Sequence, residues 1–433
     1  MTSAAAAGAQ GAVPGARWWR GQSALLGTTA SLLATTGITT VLGLAFWWVA
    51  AHMVPLSAVG YGSAAVSAMT LVGTFGMAGL NTVLIAHLAR RPHGAEGLLA
   101  AALWASAAIS AVLAVGFWLI ACVLDPRIAP YLHPAPDAAA FIAGSAITGA
   151  TLVLDEALLG MLGGKPQLWR NTGFAVGKLI ALAGLVVLWH DKLGTPILAA
   201  WTVGTALSLL PVAILMRRRG VRLLVRPQWR ALRRLGRASV SNTWLNNALQ
   251  FPVLAMPMLV TGLLKGADGG AFYVASTVVM IGVMLPYHFT TALYAASSAD
   301  PSGLTAKLRL TLRICMLGGL VGVPTVIVCA HPLLELFGPQ YAARASVPLQ
   351  LMILGYFGSV LKNHYIALCR ISGRITRAAV FATVALAVRM AAATAGAIAG
   401  GLVGLSVGLL VVMCAEGVYA MPTLWAALRG RTS

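Results

Sequence analysis

The sequence predicts an all-α integral membrane protein of twelve transmembrane helices, built from two related halves. Three observations predict this fold class: an apolar composition, a series of long apolar segments, and a regular alternation of positive charge between them. The chain has 433 residues, of which 59% are hydrophobic and only 9% are charged, and its mean hydropathy is +0.85. Soluble globular domains do not have this composition. The chain therefore belongs in a lipid bilayer.

Twelve apolar segments account for most of the chain, and a transmembrane helix needs about 20 such residues. Several segments exceed one crossing, which indicates tilted helices or helices that project beyond the bilayer. The first segment has no cleavage-like end, so we expect it to remain as a membrane anchor. The segments are 24–50, 58–88, 97–124, 138–162, 172–189, 196–216, 238–262, 270–297, 308–330, 345–370, 377–399 and 402–427.

Lysine and arginine residues concentrate in every second gap between these segments. The N-terminal tail, the even-numbered gaps with the helix ends beside them, and the C-terminus hold 23 of the 30. The odd-numbered gaps hold only Arg127, Lys192, Lys265 and Arg344. Because positive residues stay on the cytoplasmic side during insertion, this alternation predicts that both termini are cytoplasmic. The net charge of +20 is then explained by topology and by contact with anionic membrane lipids, and no nucleic-acid partner is expected.

The segments divide the chain into two bundles. We expect a disordered cytoplasmic tail over 1–22, a six-helix bundle over 23–216, a basic linker over 217–237, a second six-helix bundle over 238–428 and a cytoplasmic tail over 429–433. The linker carries nine arginines with interleaved leucines, a pattern typical of an amphipathic segment on the membrane surface. It serves either as a stop-transfer signal and connection or as a regulatory, lipid-binding element.

The two halves contain similar stretches at a nearly constant offset. AVGYGSAAVSAM (58–69) is similar to GGAFYVASTVVM (269–280), and LLGMLGGKPQLWRN (158–171) is similar to ALCRISGRITRAAV (367–380). Six spans per half is an even number, so both copies enter the membrane from the same side. The sequence therefore predicts a parallel repeat, an arrangement that places the substrate between the halves.

The same stretches carry a family resemblance. PLSAVGYG (55–62), LLELFGPQY (333–341) and the turns with glycine and a cation after spans 4 and 10 resemble polysaccharide and O-antigen-type flippases. These flippases belong to the multidrug/oligosaccharidyl-lipid/polysaccharide exporter superfamily. The resemblance implies two bundles in a V around a central cavity, lined by spans 1, 2, 7 and 8, that opens alternately to either side. It also implies a bacterial cytoplasmic membrane, a polyprenyl diphosphate-linked oligosaccharide as cargo, and other glycan-assembly membrane proteins as partners.

Six residues inside the predicted spans should be charged. A charge at the bilayer centre costs about 2.5–3.5 kcal/mol on insertion scales, so such residues need a partner or a function. In a hairpin of two spans, residues equidistant from the turn lie at the same depth. This rule predicts an Asp155–Lys178 ion pair across the turn near Pro166, and an Arg389–Glu416 ion pair across the turn at Gly401. The six are Asp155, Glu156, Lys178, Lys362, Arg389 and Glu416.

Lys362 has no acidic partner of its own under this rule. Its depth matches that of Arg389, and His364 is near, so one acid, Glu416, faces two cations. This favours a site for the diphosphate or an acidic sugar, to which Lys178 and His288 could also contribute. The alternative for Lys362 is that its long side chain reaches the lipid headgroups. The alternative for His288 is an ordinary hydrogen-bonding role.

Two further sets of residues in spans 7 and 8 are candidates. A polar stripe at helical spacing could bind sugar hydroxyls or hold helices together: Asn242, Asn246, Asn247 and Gln250. Prolines within spans break backbone hydrogen bonds and could serve as hinges or only as fixed kinks: Pro252, Pro257 and Pro286.

Two functions of the transporter class are consistent with these residues. The first is a flippase for a lipid-linked oligosaccharide; the alternative is a multidrug and toxin extrusion-type, cation-coupled antiporter. Span 1 lacks the acidic coupling residue of such antiporters, and Asp155 and Glu156 are the intramembrane acids of that half. An enzyme is not expected, because the loops are too short for a catalytic domain. The five cysteines have no CxxC spacing and are typical of buried apolar residues, so neither a metal site nor a cofactor is expected.

Overall fold

The computed structural model describes residues 37, 39–77, 96–124, 135–162, 164–188, 194–219, 225–236, 240–299 and 303–430, and within them no β-strand occurs. The predicted tail at 1–22 lies outside the described residues. The first half contains α1 (Thr39–Met53), α2 (Leu56–Gly76), α3 (Glu96–Leu124), α4 (Ala135–Leu162), α5 (Gly164–Leu188) and α6 (Thr195–Arg218). A short helix, α7 (Trp229–Gly236), follows in the linker.

The second half consists of longer helices. They are α8 (Val240–Leu264), α9 (Gly266–Ala299), α10 (Leu304–Glu335), α11 (Pro339–Leu354), α12 (Tyr356–Ile371) and α13 (Ile375–Leu428). Single-residue connections join α8 to α9 at Lys265 and α11 to α12 at Gly355.

The predicted fold class, an all-α integral membrane protein, is confirmed. Within the described residues, nine helices are long and apolar enough to cross a membrane, and the bent pair α11 and α12 makes a tenth. The count of twelve stays a prediction. The described part of the first predicted span, α1, has only 15 residues, and α13 contains the last two predicted spans in one stretch of 54.

Helix α13 is interrupted at the glycine pair between spans 11 and 12. Gly401 has φ 59° and ψ −141°, a backbone conformation that only glycine adopts without strain. The interruption coincides with the predicted turn, so α13 consists of two helical arms, which we name 13A (before Gly400) and 13B (after Gly401).

Span 10 differs from its predicted form. The sequence predicts one segment over 345–370, but α11 and α12 meet at Gly355 with a bend of 41°. The bend places Lys362 on the second piece, α12, and gives that piece a direction that helical periodicity alone does not reveal.

The two halves meet closely where α2 and α9 begin. A side chain at Gly60 would overlap the backbone of Gly266 and Gly270, and Thr261 Oγ1 donates a hydrogen bond to the Gly60 carbonyl at 3.3 Å. Trp47 packs on Tyr273 with ring centroids 4.3 Å apart. The alternation of charge makes this the predicted outer end of the molecule.

The linker is anchored to the first half. The backbone N–H of Gln228 donates a hydrogen bond to the Gly97 carbonyl at 2.8 Å. Leu232 packs on the core formed by α3, α4 and α6. Trp229 remains exposed. The described part of the linker thus packs one helix on the first half, and its placement on the membrane surface stays a prediction.

Candidate functional site

The charged residues of the second half converge on one carboxylate. Arg389 Nη2 lies 2.7 Å from Glu416 Oε1 and 2.6 Å from Oε2, and Lys362 Nζ lies 3.1 Å from Oε2. The side chains are 14%, 13% and 5% exposed for Arg389, Lys362 and Glu416. We name these three residues the cationic triad. With two cations on one acid, it carries an excess positive charge inside the bundle.

The hairpin rule accounts for this geometry. Arm 13A carries Arg389 and arm 13B carries Glu416, and the break at Gly401 lets the arms run antiparallel with both residues at one depth. Helix α12 packs against α13 and brings Lys362 to the same carboxylate. The predicted Arg389–Glu416 pair is confirmed, and the two cations lie together as the sequence predicts.

One donor of the triad has no partner. Arg389 Nε is buried and makes no hydrogen bond within the described residues. Leaving a buried donor unpaired costs about 1–3 kcal/mol, more for a charged group. This nitrogen is therefore a donor that no group of the described residues uses.

His364 lies apart from this cluster. Its Nδ1 is 2.8 Å from the Val360 carbonyl and its Nε2 is 3.2 Å from Thr311 Oγ1 on α10. Both ring nitrogens already have protein partners. The geometry therefore favours a structural role for this side chain over the predicted contribution to anion binding.

The predicted Asp155–Lys178 ion pair is wrong. Asp155 pairs with Arg170 in a bidentate arrangement, with contacts of 2.5 Å to Nε and 2.6 Å to Nη2. Arg170 Nη2 also donates to Asn171 Oδ1 at 2.6 Å, and Nη1 lies 3.4 Å from Ser208 Oγ on α6. The pair joins α4, α5 and α6 inside the first half.

The error comes from the position of the turn. The prediction centres the hairpin at Pro166, but α4 ends at Leu162 and α5 already begins at Gly164. Proline is well tolerated in the first turn of a helix, so Pro166 marks the start of α5 and not the loop. The residue at the depth of Asp155 is then Arg170, which the sequence places in the cytoplasmic gap.

Lys178 is held by aromatic rings. Its Nζ lies 3.8 Å from the ring centroid of Trp201, 4.7 Å from that of Phe174 and 4.8 Å from that of Phe46. The residue is only 4% exposed. Cation–π contacts of this kind contribute up to about 2 kcal/mol each when desolvated, and they explain how a lysine without a carboxylate partner in the described structure stays buried.

Two further candidates have few contacts. Within the described residues, Glu156 takes part in no ion pair, although the sequence places it among the paired acids, and it is half-buried on α4. His288 packs against Tyr287 at 5.6 Å between ring centroids, and its buried Nε2 has no hydrogen-bond partner in the part of the chain that the structure describes.

The polar stripe of span 7 is partly used for helix packing. Asn246 Oδ1 accepts a hydrogen bond from Arg370 Nη2 at 2.7 Å, which joins α8 to α12. Gln250 is exposed and Asn247 half-buried, while the side chain of Asn242 lies outside the described structure. The role of holding helices together is thus shown for Asn246. Sugar binding stays a prediction for the others.

The three prolines lie inside continuous helices. Pro252 and Pro257 are within α8, and Pro286 is within α9. A hinge role for them stays a prediction.

Comparisons with solved structures identify the fold. The chain is similar to a multidrug resistance MATE family transporter of the MOP superfamily in an inward-facing conformation, with TM-score 0.62 and 16% identity, over 91% of this chain and 96% of that one. It is similar to the lipid II flippase MurJ in an inward closed conformation, with TM-score 0.65 and 13% identity, over 90% of this chain and 87% of that one. It is also similar to a MOP superfamily transporter from Pyrococcus furiosus whose binding pocket is described as having reverse polarity, with TM-score 0.59 and 14% identity, over 92% and 95%.

No protein-family model matches the chain, and no curated protein matches it by sequence. The structural likeness covers nearly the whole chain, so the chain has the fold of MOP superfamily transporters and is a multi-pass membrane protein. At these identities the likeness shows the fold alone.

Proposed function

We propose that this protein is a transporter of the MOP fold that moves a lipid-linked oligosaccharide with a diphosphate group across the bacterial cytoplasmic membrane, from the inner to the outer leaflet. The cationic triad is the observation that carries this proposal. A cargo with a diphosphate brings negative charge into the bundle, and the triad offers excess positive charge there.

The donors of the triad suit phosphate oxygens. Arginine and lysine form short, charge-assisted hydrogen bonds with phosphate, about twice as strong as neutral ones. The unpartnered Nε of Arg389 is a planar guanidinium donor that a phosphate oxygen can accept from. Glu416 keeps the two cations together in the absence of cargo. A diphosphate would compete with Glu416 for hydrogen bonds from the N–H groups of Lys362 and Arg389.

The first half adds a second basic group. The rings around Lys178 come from three helices, since Phe46 lies on α1, Phe174 on α5 and Trp201 on α6. The amine has no carboxylate beside it in the described structure, so an anion that reached it would meet no competing acid. Each half of the chain thus contains a largely buried basic side chain.

The alternative is a multidrug and toxin extrusion-type antiporter, and one observation favours it. Glu156 is an intramembrane acid without an ion pair in the described residues, which is the kind of group that binds a coupling proton or cation. Asp155 and Glu416 are both occupied by arginine or lysine, so Glu156 would have to serve this role.

Transport by purified protein in liposomes distinguishes the two functions. A fluorescent oligosaccharide on polyprenyl diphosphate should reach the opposite leaflet, as measured by cleavage of its glycan with an externally added glycosidase. Lys362→Met should reduce this rate, whereas Val328→Met, on the exposed surface of α10, should not. Gradient-driven efflux of an organic cation without movement of the lipid-linked glycan would establish the antiporter.

A further inference from the structure

The two arms of α13 enclose a groove on the side of the second half. Its volume is about 510 Å³. The walls are apolar and consist mainly of Val380, Val384 and Val388 on arm 13A and Val412 on arm 13B. Val380 and Val384 are 59% and 57% exposed. No protein segment within the described residues covers these walls.

The mouth of the groove is polar and positive. Arg377 lines it, is exposed, and lies beside the side chain of Tyr419 on arm 13B. The ring of Tyr419 stacks on Phe381 with centroids 5.0 Å apart and an interplanar angle of 14°, which fixes the position of that side chain. Arg374 is exposed one turn before Arg377. An apolar groove therefore begins at a cluster of cations.

The dimensions of the groove match one leaflet. Val388 lies roughly 16 Å along the helix axis from Arg377, at about 1.5 Å per residue. The hydrocarbon region of one leaflet is half of about 30 Å. Arg377 lies near the predicted cytoplasmic end of span 11, where headgroup phosphates lie. The volume suits one acyl chain and is too small for a complete polyprenyl chain.

We propose that this groove binds an anionic glycerophospholipid of the predicted cytoplasmic leaflet, with its phosphate at Arg377 and one acyl chain between arms 13A and 13B. Glu416 lies at the floor of the groove, so the acyl chain covers one side of the cationic triad and excludes water from it. The proposal goes beyond the proposed function, since this lipid is a resident ligand and not the cargo.

Photo-crosslinking tests the proposal. The probe is phosphatidylglycerol with a diazirine in one acyl chain, added to purified full-length protein in mixed micelles, and the adducts are mapped by mass spectrometry. We expect adducts on peptides that contain residues 380–388 and 412–419. A phosphatidylcholine probe with the same chain should label these peptides at least about fivefold less, because one basic residue near an anionic surface contributes about 1 kcal/mol.

Two variants and two matched controls make the test specific. Val384→Trp fills the groove and should reduce labelling of arm 13B to background, and Arg377→Gln should remove the preference for phosphatidylglycerol over phosphatidylcholine. The controls are Val328→Trp, which adds the same bulk to another exposed apolar surface, and Arg217→Gln, which removes a cation from the end of α6. Both should label as the unchanged protein does.

Three results would overturn the proposal. The first is equal labelling by the two probes, and the second is labelling that Val384→Trp leaves unchanged. The third is displacement of the probe by polyprenyl phosphate at lower concentration than by unlabelled phosphatidylglycerol, which would assign the groove to the carrier lipid. The readout is labelling and not transport, so a failure of the proposed function leaves this test unaffected.

Discussion

Arg389 Nη2 donates to both carboxylate oxygens of Glu416, at 2.7 and 2.6 Å, although 27 residues separate the two positions. Lys362 shares that carboxylate from a third helical segment. The three side chains are therefore expected to differ in how much each contributes to folding stability and how much to transport. Glu416 is required by both cations, whereas either cation can be removed and leave an intact pair.

Replacement of Lys362 should affect transport more than folding. In Lys362→Met the Arg389–Glu416 pair remains, so the protein should be present at normal abundance. Flipping of the lipid-linked glycan should fall at least about tenfold, because a hydrogen bond to a charged group contributes about 1.5–3 kcal/mol. Abundance is measured in isolated membranes and flipping in liposomes. Equal loss of both would show that Lys362 has a structural role.

Replacement of Glu416 should affect folding stability more strongly than replacement of Lys362 does. Glu416→Gln leaves Lys362 and Arg389 adjacent in the bundle without a counter-charge. Removal of one partner of a buried ion pair typically costs about 3–5 kcal/mol. The midpoint of thermal unfolding of the detergent-purified protein should decrease clearly, and it should partly recover in the double variant with Lys362→Met. No recovery in the double variant would mean that the two charges are not coupled.

The Asp155–Arg170 pair predicts a charge-reversal experiment. Asp155→Asn should destabilise the first half, because it leaves the buried Arg170 guanidinium without its acid. The exchange Asp155→Arg with Arg170→Asp should recover much of the abundance lost in either single variant. Lys178→Met serves as the control, since the structure places no contact between Lys178 and Asp155. If Lys178→Met and Asp155→Asn instead lowered abundance equally, the Asp155–Arg170 pair alone would not explain how Asp155 stabilises the first half.

The close contact of the two halves predicts the effect of a bulkier residue at Gly60. Gly60→Val would place its side chain against the Gly266 and Gly270 backbone, and such overpacking costs about 1–3 kcal/mol. The halves should separate at the predicted outer end. A cysteine introduced at Tyr273 should then react faster with a membrane-impermeant maleimide. Gly184→Val is the control, because a side chain there meets no neighbouring atom of the described structure. Unchanged labelling in the Gly60 variant would show that this contact does not close the outer end.

Glu156 provides the test of the alternative function. If the protein is a flippase of the proposed kind, Glu156→Gln should leave glycan flipping within about twofold, because Glu156 has no ion pair to lose in the described structure. If the protein is a cation-coupled antiporter, the same variant should abolish cation efflux in response to an imposed gradient. Both transport assays are made on the same proteoliposome preparation.

The sequence predicts the fold class and the Arg389–Glu416 pair because each depends on local or near-local properties. Apolar length determines which residues enter the bilayer, and glycines mark the 13A–13B turn, which fixes the register of that hairpin. Where the predicted turn is misplaced by a few residues, at Pro166, the predicted partner of Asp155 is wrong as well. The turn lies about four residues earlier than predicted, so the residue at the depth of Asp155 is eight positions earlier on α5, Arg170 in place of Lys178.

The sequence alone determined that this chain is an all-α protein that crosses a membrane many times, with charged residues inside the predicted spans. Only the tertiary structure decided which charges meet: that Arg170 and not Lys178 binds Asp155, that aromatic rings hold Lys178, and that His364 lies outside the cationic triad. The physical reason is that hydropathy and charge determine depth in the bilayer, which a single segment reveals. Contacts between side chains depend also on the rotation and bending of each helix, and these are set by the helices packed around it.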